Sequence, residues 1–303
     1  MNDELAPDPA ALWLCQLPGM TAPLLQQLLA AAESPAAIMR LSSRVLRELG
    51  VAPTLVANIV AGPRQVPQVA AGLKGLRRLG ILPLPWAAPS YPERLRDLSR
   101  PPLVVYAQGC WPPPSPLALV VSAGELSPKL GAAWLELIGG LQPQVGLAMV
   151  QDDPGAAATL GARRARLLGL PFGLMLSRQR LPKPIWQAVA DHQTTLLSIS
   201  PPNAQPDPAM IERLPEALLA LVSALVLVQP AELAAPPQLS AALQQLGLPG
   251  FIFGLAGRAP VDAAPLAAGM RRLRAGKTGL RTLHTALGLR SAGADLVQQE
   301  RLF

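Results

Sequence analysis

Residues 91–109 read YPERLRDLSRPPLVVYAQG and join a proline-rich, basic lead-in to an apolar strand that stops at Gly109. A second apolar strand, residues 117–121, follows a proline-rich spacer. It turns through small residues into a helix that starts near Leu130. In an α/β sheet, a buried parallel strand that breaks at small residues before a helix N-terminus usually lies at the ligand site. The segment therefore predicts an α/β fold with a ligand site after residue 121.

Apolar runs then alternate with helical patterns. We predict buried strands at 117–121, 145–150, 172–176, 195–199, 225–228 and 251–255, and helices at 130–141, 155–168, 184–192, 211–221, 239–246 and 280–289. Six strands alternating with helices predict a doubly wound parallel sheet. Runs at 81–84 and 103–106 extend this sheet at one edge. The predicted fold class is α/β, with an extended Rossmann-like doubly wound parallel sheet.

The first 65 residues have apolar positions at helical spacing, with helix-start signals at Ser34-Pro35 and Ser42-Ser43. The turn at 17–21 resembles a helix-hairpin-helix, whose backbone amides can hold a DNA phosphate. A purely helical docking module is the alternative. The predicted domains are a helical SAM/helix-hairpin-helix-like domain (1–65), an extended Rossmann-like domain (66–290) and a C-terminal tail (291–303).

The charge of the chain favours a polyanionic or acidic partner. The 303 residues carry a net charge of +7, with a pI of about 10.2. Part of the excess lies in residues 258–303, where eight Lys and Arg face three Asp and Glu. This clustering indicates either an electrostatic footprint or a solvated helical face.

Several classes of function are not supported by the sequence. Cys15 and Cys110 have no disulfide or metal spacing. The longest apolar run, 217–228, is shorter than the ~20 residues of a membrane helix. No signal peptide and no glycine-rich nucleotide motif is recognised. The two histidines, His192 and His284, suggest no nucleophile–base pair. We expect a cytoplasmic protein that is not an enzyme and has no membrane segment, cofactor or metal. Asp152-Asp153 fits a helix cap better than a cation site.

Basic residues are the better candidates for a binding site. The candidates are Arg163, Arg164 and Arg166 on a predicted helix, Arg178 and Arg180 after the predicted strand 172–176, and Lys183 at the next turn. Arginines near helix-start amides can form a phosphate groove. Arg178 and Arg180 rank first because strand ends face the ligand side of this fold. The arginines of the predicted helix otherwise solvate its outer face.

The pattern Tyr91-Pro92, Leu95, Leu98, Pro101-Pro102, Tyr106 and Gly109 resembles the DNA-processing protein A family (DprA, also called Smf). The resemblance continues with gaps to about Gly257. It implies a single-stranded-DNA-binding protein of natural transformation, which protects incoming DNA and assists loading of the recombinase RecA. It also implies a helical domain at the N-terminus. We expect a homodimer.

The family's pocket motifs are only partly present. Its Val-Gly-Ser-Arg…Ser motif corresponds to Val121-Ser122-Ala123-Gly124 and Ser127, without the arginine. Its Arg-Asn-Arg motif falls near Arg213. The predicted nucleic-acid site consists of Ser122, Gly124, Ser127, Lys129, Arg163, Arg164, Arg178, Arg180 and Arg213. The alternatives are a scaffold paralogue that kept the fold and lost DNA binding, and a nucleotide-processing enzyme.

Overall fold

A computed structural model describes residues 7–122, 126–151, 165–228, 237–254 and 269–289. Its centre is a single nine-stranded sheet. The strands are β1 (Ile81–Pro85), β2 (Val104–Gln108), β3 (Leu117–Ser122), β4 (Gly146–Val150), β5 (Ala165–Gly169), β6 (Thr195–Ser198), β7 (Ala224–Val228), β8 (Gly250–Phe253) and β9 (Arg271–Leu273).

The sheet is mostly parallel, in the order β1-β2-β6-β5-β4-β3-β7-β8-β9. Strands β3 to β9 pair in parallel, and β2 pairs antiparallel with both β1 and β6. The order reverses between β3 and β7, so that the crevice at their carboxyl ends is the topological switch point. The prediction of an extended Rossmann-like sheet with two added edge strands is confirmed.

The chain places helices on both faces of this sheet. The helices are α1 (Pro9–Gln16), α2 (Ala22–Ala31), α3 (Pro35–Ile38), α4 (Ser43–Glu48), α5 (Pro53–Arg78), α6 (Glu93–Arg96), α7 (Pro128–Gly139), α8 (Ser177–Arg180), α9 (Lys183–Ala190), α10 (Pro208–Leu219), α11 (Pro237–Gln245) and α12 (Lys277–Ala286).

Two hydrophobic cores follow from the alternation of side chains along the strands. On β3, Ala118 and Val120 belong to a core that also holds residues of α1 to α5, α7, α9 and α12. Leu117 and Leu119 belong to the core on the opposite face, with α6, α10 and α11. The helical N-terminal region therefore packs against one face of the sheet.

The N-terminal helices meet the sheet at its β1–β2 end. Gln16 of α1 donates a hydrogen bond from Nε2 to the Tyr106 hydroxyl on β2, at 3.0 Å. The capping predictions hold, because Ser34 accepts from the Ala37 N–H and Ser42 from the Val45 N–H. Helix α5 continues through residue 65 and ends at Arg78. Gly80, with a φ of +69°, then turns the chain away from the helix axis.

The prediction for residues 155–176 is wrong in part. Residues 165–168 belong to strand β5 instead of a helix, and residues 174–176 form a short 3-10 helix instead of a strand. Each run contains buried leucines, Leu167 and Leu168 in the first and Leu174 in the second, so the apolar pattern alone does not separate a strand from a helical turn. The rest of the predicted helix lies outside the described residues. Strand β9 was not predicted, because its first two residues are exposed arginines.

Candidate nucleic-acid interface

Two of the predicted site residues at the carboxyl end of β3, Ser122 and Ser127, have structural roles. Ser122 ends β3 and is buried. Ser127 caps α7, because its hydroxyl accepts a hydrogen bond from the Leu130 N–H at 3.4 Å. Lys129 is exposed in the first turn of α7 and remains available to solvent. Gly124, Arg163 and Arg164 lie outside the described residues, as does Asp152-Asp153.

Two loops that leave the carboxyl ends of β5 and β6 are bound to each other. The Gly173 N–H donates to the Ala204 carbonyl, and the Met175 N–H donates to the Pro202 carbonyl, both at 2.8 Å. A Cβ at Gly173 would overlap the carbonyl oxygens of Pro201 and Pro202. Only glycine therefore allows this close approach, which fixes the start of α8 over the end of β6.

Side-chain hydrogen bonds strengthen this loop pair. The Ser198 hydroxyl donates to the Phe172 carbonyl at 2.8 Å and accepts from the Ser200 N–H at 3.1 Å. The hydroxyl of Ser200 and Oε1 of Gln151 are buried, and neither has a hydrogen-bond partner among the described residues. These two groups add unsatisfied polar atoms near the carboxyl ends of β4 and β6. The sequence marks Gln151 and Ser200 only as polar residues near strand ends.

Arg178 and Arg180 lie on α8, which the paired loops position. The prediction that they directly follow a strand end is wrong, because the 3-10 helix Leu174–Leu176 lies between β5 and α8. Both are exposed. The guanidinium carbon of Arg178 lies 5.5 Å from the centre of the Trp186 ring, and that of Arg180 lies 5.2 Å from the centre of the Phe172 ring.

Stacking on aromatic rings holds these guanidinium groups without neutralising them. Arg180 also donates to Oε1 of Gln205 at 3.0 Å, in the loop after β6. Neither arginine forms an ion pair within the part of the chain that the structure describes. Lys183 begins α9 nearby in sequence and is exposed. We call Arg178, Arg180 and Lys183 the α8 basic cluster. It can bind an anion such as a phosphate.

Arg213 does not join the α8 basic cluster. It lies in the middle of α10 and donates to the Arg100 carbonyl at 3.1 Å. Burial raises the pKa of neighbouring Glu216, while the charges of Arg213 and Arg100 oppose this shift. Arg213 therefore connects α10 to the lead-in segment, so that its role in the described structure is to stabilise the fold.

The arginines of the lead-in segment bind backbone carbonyls. Arg94 donates to Val222, and Arg96 donates to Trp86 and Ala88, at 2.9–3.0 Å. The Tyr91 hydroxyl donates to the Pro102 carbonyl at 2.6 Å, and burial raises the pKa of that hydroxyl. The segment that predicts the fold thus stabilises the architecture through these bonds.

The described ranges were also compared with what a metal site, a reactive cysteine and a membrane helix require. They contain no group of three or more His, Cys, Asp or Glu side chains that could hold a metal. Burial raises the pKa of the Cys15 thiol to about 11, which keeps it protonated and unreactive near neutral pH. Within those ranges, no helix combines the length and apolar character needed to cross a membrane.

Helices on both faces of a mostly parallel sheet define a Rossmann-like class of fold, and the α8 basic cluster lies beyond the carboxyl edge of this sheet. The particular fold is that of DNA processing protein A. The structure of this protein from Streptococcus pneumoniae has a TM-score of 0.63 and 14% identity, covering 93% of this chain and 99% of that chain.

A second similar structure is that of DNA processing protein A from Helicobacter pylori, described for its single-stranded DNA binding mode. It has a TM-score of 0.51. It has 14% identity and covers 65% of this chain and 94% of that chain. The resemblance in residues 91–109 is thus confirmed for the fold. No family model matches the sequence, and no curated protein matches it significantly.

Proposed function

We propose that this protein binds single-stranded DNA through its phosphate backbone at the carboxyl edge of β5 and β6. The observation that carries the proposal is the α8 basic cluster, with two exposed guanidinium groups stacked on Trp186 and Phe172. A phosphate that reaches them replaces water at charges already held in position. The single-stranded DNA bound by the Helicobacter pylori protein supports the choice of ligand.

Binding is expected to be electrostatic and independent of sequence. Aromatic residues are 4% of the chain, and Phe172 is almost fully buried, so few rings are available to stack on bases. Phosphate contacts release counterions, so affinity falls steeply as the salt concentration rises. The protein should therefore bind different oligonucleotide sequences with similar affinity.

The biological role is proposed from the resemblance of residues 91–109 to the DNA-processing protein A family. We propose that the protein acts in the cytoplasm during natural transformation, protects incoming strands and assists loading of RecA as a homodimer. It acts by binding, without catalysis, so a bound oligonucleotide is recovered uncut. Light scattering, a pull-down of RecA and gel analysis of the recovered strand test these points separately.

The alternative is a scaffold that kept this fold and does not bind DNA. The observation that favours it is the structural use of predicted site residues, since Ser127 caps a helix and Arg213 binds the Arg100 carbonyl. A scaffold of this kind is indifferent to oligonucleotides at low salt.

The variant Arg178→Ala/Arg180→Ala distinguishes the two functions. We expect it to lower the affinity for a single-stranded oligonucleotide by about 100-fold or more at low salt, because two charge-assisted contacts of roughly 1.5–3 kcal/mol each together contribute roughly 3–6 kcal/mol. Fluorescence anisotropy with a labelled oligonucleotide measures the change.

The matched control is Arg40→Ala/Arg47→Ala, which removes two exposed arginines from the N-terminal helical region. The control should bind like the wild type. Equal affinity of the α8 variant and the wild type would refute this site. Absence of binding by the wild type would favour the scaffold.

A further inference from the structure

A second basic surface lies at the far end of the sheet, on β9 and α12. It consists of Arg271, Arg274, Lys277 and Arg281, which are all exposed. We call it the β9–α12 basic edge. Residues 269–289 contain no Asp or Glu, and none of the four cations forms an ion pair within the described residues. Residues 269–289 therefore present positive charge with no carboxylate of their own to neutralise it.

Holding these like charges close together lowers the stability of the fold slightly. Lys277 and Arg281 are four residues apart on α12, where like charges repel by a few tenths of a kcal/mol. The opposite side of α12 anchors the helix, because Leu283 is fully buried and the Gln142 N–H donates to Nε2 of His284 at 3.3 Å. The packing thus fixes the two cations outward.

The composition of the edge favours a polyphosphate over a protein partner. The exposed neighbours Thr278 and Thr285 are polar, and no exposed large apolar side chain lies among the described residues of 269–289. A protein interface normally needs a buried apolar or aromatic centre. A nucleic-acid backbone needs only an array of cations.

We propose that the β9–α12 basic edge is a second contact for the same DNA strand, an inference that rests on the proposed function. Five strand spacings separate β5 from β9 in the sheet order. At about 4.8 Å each they span about 24 Å. A strand rising about 3.4 Å per nucleotide crosses this distance in about seven nucleotides. A longer strand engages both surfaces.

The test is the variant Arg274→Gln/Lys277→Gln/Arg281→Gln in the full chain, with a labelled oligonucleotide of about thirty nucleotides. Three phosphate contacts in single strands contribute about 2 to the salt slope, so the slope should become shallower by about that amount. Affinity near 0.1 M salt should fall about tenfold or more. Affinity for an oligonucleotide of about five nucleotides, too short to reach both surfaces, should change much less.

The matched control, Arg40→Gln/Arg47→Gln/Arg64→Gln, removes the same charge from exposed positions of the N-terminal region, which packs at the β1–β2 end of the sheet. It should leave the slope unchanged. An equal loss in the control would overturn the proposal, because net charge alone would then explain the effect. Unchanged binding in the edge variant would also overturn the proposal. Self-association of that variant would overturn it as well, because the cations would then serve to prevent the edge strand β9 from pairing with another chain.

The two sites fail separately. If the α8 variant loses binding and the edge variant does not, the proposed function stands and this inference falls. If only the edge variant loses binding, the second surface is the DNA site and the α8 assignment falls. A wild type that binds no oligonucleotide overturns both.

Discussion

At the scale of single residues, the described part of the site depends on close backbone contacts that exclude an added side-chain atom. Gly173 is the clearest case, because two loops meet where a side chain would be. The arginines of α8 are useful only because this loop pair fixes their helix over β6. A residue without chemistry therefore determines where the charged residues lie.

Gly173→Ala should destabilise the protein by about 1–3 kcal/mol, the usual cost of forcing an extra carbon into a packed site. The midpoint of denaturant unfolding should fall at an unchanged slope. The control is Gly131→Ala in α7, where no atom lies within 4 Å of the added carbon. That variant should gain about 0.5–1 kcal/mol, since alanine favours helix. Equal stability of the two variants would contradict the loop contact.

His284 should make stability depend on pH in the acid range. Burial lowers the pKa of its imidazole from the ordinary value of 6.5, and Nε2 accepts the Gln142 N–H. The unfolded state therefore binds more protons below pH 6.5, and stability falls as the pH drops through that value and levels off below the folded pKa. Chemical unfolding from pH 7.5 to 5 measures this loss.

His284→Gln keeps an acceptor without a titrating group. Its unfolding free energy should show less of the loss between pH 7.5 and 5 than the wild type does. The same pH profile in both proteins would show that other groups cause the acid sensitivity.

At the scale of elements, the sequence predicts most strands of the sheet because each is a short apolar run between turns. The error at 155–176 has a physical cause. Local pattern does not distinguish a buried strand from a buried helical turn, and the pairing of β5 with β4 and β6 decides it. The charged sequence of β9 gives no strand signal. Its strand conformation depends on parallel pairing with β8 and on the stacking of Arg271 on the Phe251 ring.

Helix α5 carries two internal prolines, Pro63 and Pro67, which are four residues apart and both exposed. Pro67 cannot donate to the Pro63 carbonyl, and its ring crowds that carbonyl. Pro67→Ala should therefore raise the free energy of unfolding by about 2 kcal/mol, from about 3 for the helix less up to about 1 for the freer unfolded chain. Thermal and denaturant unfolding measure the gain.

Pro53→Ala is the control, since Pro53 occupies the first helical position, where proline fits. It should be neutral or slightly destabilising. A stabilisation as large as that of Pro67→Ala would show that α5 does not depend on its internal hydrogen bonds in this way.

At the scale of the whole molecule, the sheet separates the charged surfaces. The N-terminal helices pack near β1 and β2, the α8 basic cluster lies beyond β5 and β6, and the β9–α12 basic edge ends the sheet. The sequence predicts this layered fold and a net positive charge. It does not show which cations are exposed without a carboxylate, because Arg96 and Arg213 bind backbone carbonyls in the folded chain.

The central claim is that the folded chain binds a DNA strand through its phosphates. The direct test is a salt titration of wild-type binding to a phosphodiester oligonucleotide and to the same sequence with an uncharged methylphosphonate backbone. We predict a slope of about −2 or steeper for the phosphodiester, from three or more single-strand contacts, and loss of binding for the uncharged strand. A flat slope, or equal binding of both strands, would contradict the account.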